Sequence, residues 1–184
     1  MAVELGWIEA ARRVLSPNCD SRPAGTKISL AVVHSISLPR GRYGKVGGGS
    51  AIERLFTNRL DTAEHPSFAD LAGLRVSSHF LVYRDGELVQ FVPLEQRAWH
   101  AGASRWRGRE RCNDFSVGIE LEGIDDGRYA AAQYASLASL LGKLQARLPL
   151  REVAAHSDVA PGRKSDPGPR FDWVRFLQAL ARRA

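Results

Sequence analysis

Apolar residues along the chain fall into runs with distinct periods. Ile28–His34 (ISLAVVH) and Phe115–Leu121 (FSVGIEL) are continuous and rich in β-branched side chains, the pattern of strands buried on both faces. Ser78–Val92 (SHFLVYRDGELVQFV) alternates on either side of Asp85-Gly86, and an Asp-Gly pair between two such runs predicts a β-hairpin. Tyr134, Leu137, Leu141, Leu144 and Leu148 recur at helical spacing up to Pro149, so a helix with one face on the core is expected there. Trp173, Phe176, Leu177 and Leu180 mark a final helix, with Asp172 near its N-terminus. Glu152–His156 reads as a short strand. Ala51–Leu60 reads as a helix opened by Ser50, with Glu53 three residues later at capping-box spacing.

Strands and helices alternate only in part, because the hairpin interrupts a βαβ rhythm. The expected architecture is α/β: a single domain over residues 1–184, with a mixed central β-sheet flanked by helices on both faces. Ser35–Ser50, with Pro39 and Gly47-Gly48-Gly49, reads as a long mobile loop of the kind that covers a site. It lacks the Gly-Lys-Ser/Thr ending of a phosphate loop.

Composition narrows the classes. A chain of 184 residues can bury a one-domain core without disulfides. No run approaches the ~18 consecutive apolar residues of a membrane-spanning helix. The stretch MAVELGWIEAARRV shows no basic n-region leading into an apolar h-region. Cys19 and Cys112 are too few for a disulfide framework and fit a reducing cytoplasm, so a cytoplasmic location is expected. The net charge of +6 points to anionic partners. Nucleic acid ranks last among them, because there is no RNP pattern, no zinc-finger spacing and no basic stripe interleaved with stacking aromatics. The arginines gather in Arg105–Arg111 and in the last helix, and a small substrate bearing carboxylates accounts for the first cluster as well as nucleic acid does.

The densest chemistry lies in Ala155–Trp173 (AHSDVAPGRKSDPGPRFDW), where Pro and Gly stiffen a loop that carries His156, Lys164 and Asp166. His34, closing the first apolar strand, can supply a third donor at the same sheet edge. Two imidazoles and a carboxylate suit zinc, which in hydrolases takes three protein ligands and leaves a fourth position open. Each residue alone has an ordinary reading: a hydrogen-bonded strand-end histidine, a turn aspartate, a solvated lysine. Lys164 can also serve as a cation for a developing oxyanion. Glu120 and Glu122 share one face of their strand, so alternation does not choose between them. Glu120 is expected to be the more enclosed, and desolvation would suit it to acid/base work. His79 reads as structural, His65 as solvated before Pro66, and His100 as a residue able to line the cleft. Together these residues point to a zinc hydrolase that cuts an amide bond.

The motifs VVHSISLP, SSHFLVYRDGELVQFVP, RAWHAG, RERCNDFSVGIELEG and HSDVAPGRKSDPGPRFDW occur in this order. The chain thereby resembles the type 2 N-acetylmuramoyl-L-alanine amidases, from about Trp7 to the last helix, and within them the AmpD-type branch of cell-wall recycling. The resemblance implies one Zn2+ per chain on His34, His156 and Asp166, with Glu120 as catalytic base and Lys164 as the oxyanion's cation. It implies substrate contacts at Arg75, Trp99 and Arg111. Ser35 stands where an Asn often follows the first ligand, and is carried as a further contact. Phage-type relatives have Tyr where this chain has Ser78, and Cys as third ligand where it has Asp166, which throws the base function onto Glu120. The implied substrate is a small cytoplasmic muropeptide, cut between the lactyl group of 1,6-anhydro-N-acetylmuramic acid and L-alanine, with an indirect role in β-lactamase induction. No nucleic-acid or membrane partner is implied, and a monomer is expected. The competing readings are an amidase of intact peptidoglycan, which usually carries a signal peptide, and a non-catalytic muropeptide-binding module, which typically lacks a zinc ligand.

Overall fold

The computed structural model describes residues 6–44 and 50–182. In chain order the elements are β1 (Arg12–Arg13), β2 (Cys19–Ser21), β3 (Leu30–Ile36), α1 (Ala51–Phe56), β4 (Phe80–Val82), β5 (Leu88–Gln90), β6 (Gln96–Ala98), β7 (Arg105–Trp106), β8 (Arg109–Glu110), β9 (Ser116–Glu122), α2 (Ala131–Gln145), β10 (Glu152–Ala155), α3 (His156–Val159) and α4 (Trp173–Ala181). Six strands form the main sheet in the order β1-β5-β4-β9-β3-β10. β3 lies parallel between β9 and β10, with His34 opposite Glu120 and Val33 opposite Ala155. β4 is parallel to β9 and antiparallel to β5. The sheet is therefore mixed, as the interrupted βαβ rhythm requires.

Alternation sorts side chains to the two faces. Ala31, Val33, Val117, Ile119 and Leu121 pack against Leu137, Leu141 and Leu144 of α2 and Phe176 of α4. On the other face, Leu81 and Val89 pack against Ile52, Leu55 and Phe56 of α1, while Leu30 and Val32 pack against Phe115 and Val159 of α3. His34, Gly118 and Glu120 belong to this second face by strand parity. Polar groups are thus confined to a strip with apolar clusters around it.

The Asp85-Gly86 hairpin forms as expected. Gly86 takes φ +91, and its N–H donates to the Tyr83 carbonyl at 2.9 Å. Ser50 caps α1 by accepting the Glu53 N–H, and Asp172 caps α4 by accepting the Arg175 N–H. Several boundaries differ from expectation. β3 continues two residues beyond His34, because its ladder with β9 runs on through Ser35–Leu121 and Ile36–Glu122. α1 stops at Phe56, and Asn58 adopts the left-handed conformation at φ 59 that ends the turn. α2 stops at Gln145, although Leu148 still bonds back to the Leu144 carbonyl. Arg105–Arg111 includes a small hairpin, β7–β8, turning through Arg107 (φ 45) and Gly108 (φ 82).

The Ser35–Ser50 loop is only partly described, and Gly47-Gly48-Gly49 lie outside the described residues. The part before Gly44 is held to the body. Arg40 bridges Asp125 at 2.7 Å and Asp126 at 3.0 Å, and the Gly44 N–H donates to Glu122 Oε1 at 2.6 Å.

Gly168 shows how the Asp166 loop is seated. It has φ +83, and a Cβ there would overlap the backbone carbonyl of Asp125. The Tyr129 hydroxyl donates to the Pro167 carbonyl at 2.7 Å, and Ser165 Oγ donates to Asp125 Oδ2 at 2.7 Å. Gly168→Ala is expected to cost about 1–3 kcal/mol through left-handed strain and overpacking together. Gly25→Ala, with φ +72 but open space around it, should show the strain alone. Denaturant unfolding of the two variants measures the difference, and equal losses would contradict the packing argument.

Candidate active site

Three segments meet at the carboxyl ends of the parallel strands. β3 brings His34, β9 brings Glu120, and the turn after β10 brings His156 and, ten residues later, Asp166. Two positions differ from expectation. His34 lies within its strand rather than at its close, and His156 opens the one-turn helix α3 rather than ending a strand. The convergence is nevertheless close. His34 Nδ1 is 2.9 Å from His156 Nδ1 and 3.5 Å from Asp166 Oδ2, and His156 Nδ1 is 3.1 Å from the same oxygen. Tetrahedral zinc ligands at ~2.0–2.2 Å from the metal stand about 3.3–3.6 Å from one another. The three donors are already near that spacing, with two nitrogens close to one carboxylate oxygen. Among the described residues, this trio is the group of His, Cys, Asp or Glu side chains placed to hold a metal ion.

Electrostatics agree with that use. Burial lowers the His34 pKa to about 4, with the charges of His156 and Lys164 adding to the effect, so its ring is neutral and has a lone pair to offer. Burial alone would raise the Asp166 carboxyl, but the His156 and His34 rings beside it outweigh that effect and hold its pKa well below the usual carboxylate range. The Ser35 backbone N–H donates to Asp166 Oδ2 at 3.3 Å, so Ser35 acts on Asp166 through its main chain.

Glu120 stands beside the trio, with Oε1 4.0 Å from His34 Nδ1. Its other oxygen, Oε2, is buried without a hydrogen-bond partner among the described residues. Burial raises its pKa well above the carboxylate norm, the negative charge of Asp166 raises it further, and Lys164 partly offsets both. Glu122 corrects the expected reason for preferring Glu120. Glu122 is the more enclosed, 2% exposed against 8% for Glu120. What separates them is bonding: Glu122 accepts the backbone N–H groups of Gly44 and Arg84, whereas Glu120 keeps an oxygen free. Lys164 is exposed and shares a polar cavity of about 310 Å³ with Ser35, Arg40 and Asp166.

The remaining candidates are dispersed. Arg75 is exposed on the loop before β4. Trp99 is half-buried, its backbone N–H donating to Ser77 Oγ and its side chain hydrogen-bonded to Asp20. Arg111 has φ 60 and is 3.3 Å from Asp114. It lines a cavity of about 560 Å³ with Arg105 and Arg163. Arg163 also borders the Lys164 cavity, so the two hollows adjoin through it. His79 is structural as expected: its Nδ1 accepts the Gly118 N–H, and burial beside Arg22 holds its pKa at about 3. His65 is exposed as expected and caps a short 3-10 turn at Pro66–Leu71 by accepting the Ser67 N–H. Sequence reasoning placed His100 as able to line the cleft but did not pair it with His34. The available signal was Gly118, a glycine inside a buried strand, which marks a close approach. A Cβ there would come within 2.5 Å of the His100 ring.

A mixed sheet with two imidazoles and a carboxylate gathered at the ends of its parallel strands, and an unpartnered acid beside them, defines a hydrolase-like metal-site architecture. The family model for N-acetylmuramoyl-L-alanine amidases matches residues 24–169, and the chain belongs to that family. It is 53% identical over 178 residues to the 1,6-anhydro-N-acetylmuramyl-L-alanine amidase AmpD of Escherichia coli K12, covering 96% of this chain and 95% of that one. A crystal structure of an AmpD selenomethionine derivative superposes with a TM-score of 0.92 at 52% identity, over 98% of this chain and 99% of that one. The amidase AmiD of E. coli, solved in complex with the substrate anhydro-N-acetylmuramic acid-L-Ala-D-gamma-Glu-L-Lys, matches with a TM-score of 0.59 at 32% identity, over 87% of this chain and 60% of that one. Among the described residues no helix is long and apolar enough to cross a membrane.

Proposed function

We propose that this chain is a zinc-dependent amidase that cleaves the bond between the lactyl group of 1,6-anhydro-N-acetylmuramic acid and L-alanine in cytoplasmic muropeptides, as a monomer and as a step of cell-wall recycling. The observation that carries the reading is the convergence of His34, His156 and Asp166 beside the unpartnered Glu120, in a chain alike over nearly its whole length to AmpD.

Zinc on His34, His156 and Asp166 would polarise a carbonyl and acidify water. The chain's own residues account for the rest. Glu120, raised in pKa by burial, accepts the proton of the attacking water at Oε2 and returns it to the departing amine of L-alanine. Lys164 offers its ammonium to the oxygen that gains negative charge as the carbonyl carbon becomes tetrahedral. The Ser35 backbone N–H holds Asp166 Oδ2 in place. Trp99 supplies a flat face for the sugar, and Arg111 and Arg75 supply guanidinium forks for peptide carboxylates.

The test is kcat/KM on an anhydro-muramyl peptide against peptide release from purified sacculi. The small anhydro substrate is expected to be cut far faster. Comparable rates would move the reading to an amidase of intact wall, and no cleavage of either would leave a binding module. In a bacterium with inducible β-lactamase, the same reading has anhydro-muropeptides accumulate and enzyme expression rise when this chain is lost.

A further inference from the structure

We infer that His100 and Ser116 form a hydrogen-bonded relay that sets the tautomer and orientation of His34, making His100 a positioning residue of the metal centre. The inference rests on the metal-site reading above and deepens it.

A neutral imidazole that gives one nitrogen to a metal carries its proton on the other, and that N–H needs an acceptor to fix the ring. His34 turns Nδ1 toward His156 and Asp166. Its Nε2 lies 2.9 Å from His100 Nδ1. With the proton of His34 on Nε2, His100 must accept at Nδ1 and carry its own proton on Nε2. That nitrogen is 3.1 Å from Ser116 Oγ, which accepts in turn. One tautomer assignment runs from the metal face of His34 to β9 with every step paired.

The His100 ring has little freedom to leave this line. Asn113 Oδ1 accepts the backbone N–H groups of both His100 and Ala101, at 3.3 and 2.8 Å. The bare Cα of Gly118 leaves the space the ring fills. The contrast with His156 is informative: its Nε2 is buried with no hydrogen-bond partner among the described residues, so its ring is held by α3 and not by a relay. An acceptor that is itself a neutral imidazole also orients His34 without adding a negative charge beside Asp166 and Glu120.

The test compares His100→Leu with His100→Asn. The two side chains have nearly the same shape, and only Asn offers an oxygen where His100 Nδ1 stands. Zinc dissociation constants are read by competition with a chromogenic chelator, and thermal midpoints of the metal-free proteins report the fold. Leu is expected to weaken zinc binding by roughly 10–100-fold, and Asn to restore it to within about threefold of wild type. Equal losses in both variants, or no loss in Leu, would overturn the relay. Should the Leu variant fail to fold, Ser116→Ala takes its place: weaker zinc binding at an unchanged metal-free midpoint supports the relay, and unchanged affinity overturns it. A wild-type protein that binds no stoichiometric zinc defeats the metal-site reading itself, and the relay with it.

Discussion

Glu120→Gln will lower kcat by roughly 10²–10⁴-fold while the protein keeps its metal and its fold. Glutamine retains the shape of the side chain and loses the basic oxygen. That oxygen is buried with no hydrogen-bond partner among the described residues, so no hydrogen bond seen there is lost with it. Glu122→Gln should behave in the opposite way. The Glu122 carboxylate is spent on the N–H groups of Gly44 and Arg84, and its amide presents one acceptor and one misplaced donor to them. Stability should fall by about 1–3 kcal/mol with the chemical step little changed. Steady-state kinetics, metal analysis and thermal unfolding of both variants decide the matter. A silent Glu120→Gln with a damaging Glu122→Gln in kcat would reverse the assignment.

His34→Ala is expected to abolish stoichiometric zinc and, with it, amide hydrolysis. Three protein donors are the minimum of a catalytic zinc site, and His34 Nδ1 is within 3.5 Å of both other donor atoms. His79→Asn provides the matched control in another buried histidine. Its amide oxygen can still accept the Gly118 N–H that His79 Nδ1 accepts now, and zinc should remain. Elemental analysis of the purified variants reads the outcome. Loss of zinc from both, with both folded, would undo the ligand assignment. Chelation of the wild-type protein should reproduce the His34→Ala phenotype and be reversed by added zinc.

Much of this architecture was visible in the order of residues, and the reasons are physical. β3 and β9 sit in the middle of the sheet and are covered on both faces, so they must read as unbroken apolar runs. The hairpin was legible because Asp85-Gly86 meets a local backbone demand at Gly86. Boundaries were less legible because they are set elsewhere: β3 reaches Ile36 only because Glu122 is there to pair with it. In the site, His34, His156 and Asp166 were each weak alone, and the order of motifs singled them out. Choosing between Glu120 and Glu122 by enclosure gives the wrong ranking of exposure. The distinction lies in amides contributed by Gly44 and Arg84, which no reading of the β9 segment can place. His100 was named as a cleft residue, but its pairing with His34 was not legible, for a related reason. Its contact with His34 depends on a gap left by Gly118, and that gap has meaning only once β9 is folded beside it.

The parallel placement of β3 between β9 and β10 also bears on how the chain is made. β3 is made well before either of its sheet partners, β9 and β10, and Asp166 follows later still. Until then the apolar segment Leu30–Val33 has nothing to cover it, since parallel pairing cannot be satisfied by a neighbouring hairpin. A nascent polypeptide therefore carries an adhesive strand until β9 and β10 emerge, the kind of interval in which aggregation competes with folding. Asp166 follows both strands in the chain, so the His34–His156–Asp166 cluster can assemble only after β3, β9 and β10 have been made.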